Sequence, residues 1–247
     1  MLITDTILQT HLPHTGGSWL SGVLAVMRDG VGVRGCSHHA PIWEAPDDVR
    51  ADRVIIGTAR GAHEHYATIY RKAMTNHPMW MERLRVYGGG SLAFRDVLDG
   101  WTRPRHERMP GRPGLIVELH NDARAALLAS GAGLSTFLHV YTYGEAGRWR
   151  EPATAPQRWG VHALLDTANL HEAAAEIIGD DFAPERFPRH NVTPALDWMP
   201  ANVTQWYDEE MLDWVEQADG GLATMMGRGP FEKAYEPVTI VNRRMAA

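Results

Sequence analysis

The residues best equipped for chemistry cluster near the start of the chain. His11-Leu12-Pro13-His14-Thr15-Gly16-Gly17-Ser18-Trp19-Leu20 combines two histidines, two hydroxyls and a glycine pair in ten positions. Glycines at 16 and 17 allow the backbone to approach a phosphate closely, and Ser18 supplies a hydroxyl where a helix can begin. A helix start also offers unpaired N–H groups and a positive dipole end, so this loop suits an anion. It is not a Walker A loop, because the Gly-Lys-Ser/Thr ending is missing. A tight strand-to-helix turn without a ligand uses the same glycines. Further histidines follow at His38, His39, His63 and His65. A histidine such as His39 or His38 can accept a proton near neutrality, and with His11 and His14 these residues form a candidate set of metal ligands. On a helix, however, His63 and His65 project about 200° apart and cannot chelate one ion.

Elements must position these residues, and the hydrophobic pattern supplies them. Thr6–His11 reads as a short buried strand, Pro13–Gly17 as a turn and Trp19–Met27 as a packed helix. The rhythm then repeats. Val54–Ala59 (VIIGTA) suits a parallel strand covered on both faces, and Ala62–Met74 is a helix with Tyr66, Ile69, Tyr70 and Ala73 on one stripe. Farther on, the pattern predicts helices on both sides of Gly88–Gly90 between Trp80 and Trp101. It also predicts helices over Asp122–Ser130 and Leu134–Tyr143, a strand over Val161–Leu165, a helix over Asn169–Ile178 and an amphipathic helix over Tyr207–Met226. The expected fold class is α/β, a parallel sheet flanked by helices, with ligands held at the carboxyl ends of its strands.

With 247 residues, 44% of them hydrophobic, the chain can build one large domain over 1–247, with the segment 229–247 unassigned. A net charge of -6 excludes a globally basic nucleic-acid binder but leaves room for a local cationic pocket. Lys72 and Lys233 are the only lysines among 24 basic residues, so a site needing a cation must rely mainly on Arg or protonated His. The single cysteine, Cys36, allows neither an internal disulfide nor a thiolate zinc site. No signal peptide or membrane-length apolar run is visible, so a soluble cytoplasmic protein is expected. The loop carrying Arg103, Arg105, Arg108 and Arg112 is a candidate grip for an anionic acceptor, and Trp80, Trp101 and Trp149 are candidate sugar-stacking rings; solvated loop and packed core are the plain alternatives.

Pro13-His14-Thr15-Gly16-Gly17-Ser18-Trp19 resembles the 5'-phosphosulfate loop of sulfotransferases that use 3'-phosphoadenosine 5'-phosphosulfate (PAPS), in its PKxGTTW and HxPKTGGTS forms. Arg60 after the second strand and Thr68 eight residues on are similar to the family's 3'-phosphate pair within RNPxxRxxSxY; Gly61–Ala67 departs from the Asn-Pro and second Arg. Cys36–Pro41 (CSHHAP) resembles the segment carrying the catalytic histidine. The resemblance covers about residues 5–227, with fainter echoes at Leu164–Leu170, Arg189–Asn191 and Tyr207–Leu212. It implies a P-loop NTPase-like sulfotransferase fold and a PAPS-dependent enzyme needing no metal. By the same resemblance Thr15, Gly16, Gly17 and Ser18 hold the phosphosulfate, Trp19 stacks on adenine, and Arg60 and Thr68 hold the 3'-phosphate. His39 is the base, with His38 in reserve and Glu44 as the carboxylate alternative. His14 stands where the family has Lys or Arg. The implied acceptor is a carbohydrate or small hydroxyl compound, with no nucleic-acid or membrane partner. A catalytically silent protein of the same fold, or a histidine-based metal hydrolase, is the alternative.

Overall fold

Short hydrophobic strands alternating with helices form the framework of the computed structural model, which describes residues 1–36, 39–75, 78–103, 131–143, 161–179, 182–187 and 193–226. In chain order the elements are β1 (Leu2–Ile3), β2 (Ile7–Gln9), α1 (Gly17–Met27), β3 (Val31–Gly32), α2 (Asp47–Ala51), β4 (Val54–Ala59), α3 (Ala62–Thr75), α4 (Pro78–Tyr87), α5 (Phe94–Thr102), α6 (Leu134–Tyr143), β5 (Ala163–Asp166), α7 (Leu170–Ile178) and α8 (Glu209–Met226). The expected helix over Asp122–Ser130, the loop arginines Arg105, Arg108 and Arg112, Trp149, Arg189–Asn191 and the segment 229–247 lie outside the described residues.

The described strands make one sheet in the order β3-β1-β2-β4-β5. β2, β4 and β5 are parallel, with Gln9 beside Ile56 and Ala59 beside Asp166. The sheet as a whole is mixed, not parallel as expected, because β1 runs antiparallel to both β2 and β3. The cause is local. Thr4 reverses the chain on the spot, its Oγ1 accepting the N–H of Ile7 at 2.9 Å and of Thr6 at 3.2 Å. A parallel connection needs a crossover of a dozen or more residues, and no such length separates β1 from β2.

Each face of the sheet is covered by a different set of helices. Ile7, Ile56, Ala163 and Leu165 pack with Trp19, Leu20, Val23 and Leu24 of α1 and with Leu170, Ala173 and Ala174 of α7. On the other face Ala59 and Leu164 join the core formed by α3, α4, α5, α6 and α8. Leu8 and Ile55 are covered there by Val33, Ala40, Ile42 and Ala45. Covering on both sides is why β4 is an unbroken apolar run, buried from Ile55 to Ala59. The α3 stripe of Tyr66, Ile69, Tyr70 and Ala73 is buried as its spacing requires. Among the described residues no helix is long and apolar enough to cross a membrane.

Candidate functional site

β4 and β5 end together at Ala59 and Asp166, whereas β2 stops beside Ile56, and the loop that leads from β2 into α1 continues to those ends, where Thr15 meets Thr58 and Thr167. Two residues in left-handed conformation, His14 (φ 64°) and Gly16 (φ 81°), flank Thr15 and fold the loop tightly. The Gly16 carbonyl accepts from Trp19 and Leu20 at 3.1 and 3.2 Å, so α1 starts here. The N–H groups of Gly17 and Ser18 in its first turn therefore have no intrahelical acceptor. Both glycines are required by packing. A Cβ on Gly17 would sit 2.3 Å from the His11 ring, and one on Gly16 2.6 Å from Leu170 Cδ2.

Threonine hydroxyls tie the loop to the strands. Thr15 Oγ1 donates to the Leu12 carbonyl at 2.8 Å and lies 2.7 Å from Thr58 Oγ1 of β4. Thr167, just past β5, shares its hydroxyl between the carbonyls of Thr15 (2.8 Å) and Ala59 (2.6 Å). The Thr15 side chain is thus directed into the fold, and Thr15 can face a ligand only with its backbone. Ser18 is exposed at the loop's outer side, its Oγ 3.4 Å from His11 Nε2. Trp19, expected against adenine, is instead buried. It stacks on His171 at 4.6 Å and donates its indole N–H to the Phe187 carbonyl at 2.8 Å.

Arg60 follows β4 directly and donates from Nη1 to Thr68 Oγ1 on α3 at 3.1 Å. The two members of the expected 3'-phosphate pair are therefore adjacent. Lys72 lies one turn beyond Thr68 on the same helix face. His14 joins this group: burial, then the positive fields of Lys72, His39 and Arg60, push its pKa down to about 4. Its ring is therefore neutral at pH 7. His39 Nδ1 stands 3.2 Å from the His11 carbonyl. A carbonyl only accepts, so Nδ1 carries the proton and Nε2 is the basic nitrogen of neutral His39. The His39 ring also meets His11 edge-on, centroids 4.6 Å apart. His38 lies outside the described residues.

Below the loop runs a buried polar chain that local sequence signals did not reveal. His65 Nε2 lies 3.1 Å from the Pro13 carbonyl and Nδ1 3.0 Å from Ser135 Oγ on α6. Ser135 N–H donates to Tyr66 Oη at 3.2 Å, and Tyr66 donates to Asp219 Oδ2 of α8 at 2.5 Å. Asp219 also accepts the N–H of Thr136 at 2.7 Å. Burial pushes the Asp219 carboxyl up to about 6, against the opposing effect of those bonds. Burial likewise drives the Tyr66 hydroxyl well up and His65 well down.

His63 packs instead against Tyr207, centroids 5.2 Å apart, so it and His65 serve different neighbours. Among the described residues no group of three or more His, Cys, Asp or Glu can hold a metal ion. Trp101 is fully buried and stacked on Tyr66, while Trp80 carries Arg83 over its ring at 5.3 Å. The missed participants were Lys72, Thr58 and Thr167, and for His65, weighed as a metal ligand, the contact with Pro13. The scarcity of lysine was a usable signal for Lys72; the others have partners too distant in sequence to be inferred. Compared with known proteins, the chain matches no family model, no curated protein and no solved structure.

Proposed function

We propose that this chain is a sulfotransferase moving a sulfuryl group from PAPS to an acceptor hydroxyl, on a P-loop NTPase-like fold of the sulfotransferase type. The supporting observation is that the α1 helix start, which follows β2, is accompanied at the end of β4 by Arg60, hydrogen-bonded to Thr68, with the neutral ring of His14 in the fields of Arg60 and Lys72. Anionic ligands favour such a place because N–H groups and side-chain cations act on them together. In this reading the N–H groups of Gly16, Gly17 and Ser18 receive the phosphosulfate, and Arg60 with Thr68 receives the 3'-phosphate. Trp19 is left out of the adenine contacts because its ring is packed in the core.

The chemistry asked of the side chains is modest. His39 Nε2 takes the proton of the acceptor hydroxyl as its oxygen attacks sulfur. One sulfur–oxygen bond forms, the bond from sulfur to the bridging oxygen breaks, and 3',5'-ADP leaves carrying that oxygen. Charge grows on the bridging oxygen, and the α1 N–H groups and His14 are the donors available to meet it. His14 is a good donor there only when protonated, which a bound dianion favours by opposing the burial and the positive fields that now depress its pKa. Positioning and charge stabilisation therefore supply most of the acceleration. The acceptor class is a carbohydrate or another small hydroxyl compound.

A second reading has its own support. A neutral His14 in place of a permanent cation favours a catalytically silent protein of this fold that binds the nucleotide without turnover. Calorimetry with 3',5'-ADP followed by a transfer assay over a panel of hydroxyl acceptors separates the two. Binding with turnover supports the enzyme, binding without turnover supports the silent protein, and no binding defeats both.

A further inference from the structure

We propose that His65 is a positioning residue whose Nε2–H holds the Pro13 carbonyl, and with it the left-handed His14 and the N–H groups of the following loop, in the orientation that receives an anion. This rests on the nucleotide reading for its ligand but on geometry for the residue. His65 is fully buried on α3, and its ring spans two segments distant in sequence from it and from each other. The Pro13 carbonyl can only accept, so Nε2 carries the proton and sets the tautomer of the neutral ring; Nδ1 then accepts from the Ser135 hydroxyl, which holds the ring at its other end. Ser135 is itself held, because its N–H donates to Tyr66 Oη and Tyr66 is anchored on Asp219.

The chain of contacts has a direction. It begins at a buried carboxylate on α8, passes through α3 and α6, and ends on the one carbonyl that precedes the strained His14, at φ 64°. A non-glycine residue in the left-handed region persists only where its surroundings over-determine it. On the downstream side Thr15 is fastened to Thr58 and Thr167. On the upstream side His65 provides the fastening at Pro13. Loss of the His65 contact leaves the downstream ties intact but lets the Pro13–His14 peptide rotate, which moves the His14 ring away from Lys72 and Arg60.

The test uses variants that separate the Pro13 contact from the packing of the ring. His65→Phe fills the space and removes both hydrogen bonds; His65→Gln restores an N–H near the position of Nε2. Two readouts are taken on each: the titration of the His14 ring followed by NMR and assigned with His14→Gln, and affinity for 3',5'-ADP by calorimetry. In the native protein His14 titrates at about 4. In His65→Phe it moves toward its ordinary 6.5 while the far-UV spectrum stays native, and nucleotide affinity falls about tenfold, the scale of one hydrogen bond. His65→Gln returns both readouts most of the way. An unmoved His14 titration in His65→Phe overturns the role, as does a His65→Gln protein indistinguishable from His65→Phe. If the native protein binds no nucleotide, the nucleotide reading fails, and the His14 titration alone still decides whether His65 positions the loop. Should His65→Phe not fold, Ser135→Ala removes only the hydroxyl that holds the His65 ring at Nδ1; a rise in the His14 titration supports the role, and an unchanged one overturns it.

Discussion

Binding of a doubly phosphorylated nucleotide should draw a proton onto His14. In the unliganded protein burial and the fields of Lys72, His39 and Arg60 push this ring down to about 4. A dianion beside it opposes both the burial and those fields; where it restores the ordinary value of 6.5, the linkage between protonation and binding can be worked out. The gain in affinity is the ratio of the binding polynomials of the two forms, about 1.3 at pH 7 and about 30 at pH 5. Affinity conferred through His14 thus rises about twentyfold over that interval. The nucleotide's own phosphates lose charge over the same range, with a second pKa near 6, and oppose the effect. The quantity to measure is therefore the ratio of native to His14→Gln association constants for 3',5'-ADP. Calorimetry between pH 5 and 7 at low ionic strength, where the side-chain fields are least screened, provides it. A ratio that climbs on acidification supports the coupling. A ratio flat with pH, in protein that stays folded by circular dichroism, refutes the placement of His14 beside the bound anion.

Three further outcomes follow from the same geometry. Arg60→Ala should weaken 3',5'-ADP binding by one to two decades, about 1.4 to 3 kcal/mol, as for a charge-assisted contact; an unchanged dissociation constant in calorimetry removes Arg60 from the site. His39→Ala should leave nucleotide affinity within about twofold while turnover falls by roughly 10² to 10⁴, the range for a lost general base, and equal loss of both in paired binding and transfer assays means the residue does something else. Asp219 holds its proton more tightly folded, at about 6, than unfolded, at 3.8. Between those values the folded state carries the extra proton, so this group's contribution to stability falls as pH rises through the window. Asp219→Asn should flatten that part of the curve of unfolding free energy against pH, measured by urea titration.

What could be read in advance was whatever one segment encodes by itself. Val54–Ala59 announces its burial because most of it is apolar and it is buried from Ile55 onward, and Leu134–Tyr143 and the Ala62 helix carry enough turns for their periodicity to register. β1 and β3 have two residues each, too few to show any period, so the antiparallel part of the sheet was invisible. The loop at Gly16 and Gly17 was legible as a tight turn, yet the close approach of the His11 ring to Gly17 appears only once the loop is folded, and that of a Leu170 methyl to Gly16 only when distant segments meet. The same limit explains Trp19: its ring faces α7, which lies some 150 residues onward, and nothing in its own helix says so. His65 stood in plain view, but its partners are 70 and 52 residues away. Arg60 and Thr68 were the converse case, since one strand end and two helical turns bring them together with no help from the rest of the chain.

The threonine ties between the loop and the strand ends have a thermodynamic consequence. Because Thr15, Thr58 and Thr167 stitch the turn down as the chain folds, its conformational entropy is surrendered then and not when a ligand arrives. A guest entering such a stiff receptacle meets dipoles already aimed, so its association should show little slow rearrangement and strong discrimination by size and shape. Replacing Thr167 with valine would keep the bulk, loosen the stitch and turn a rigid mould into an adaptable one.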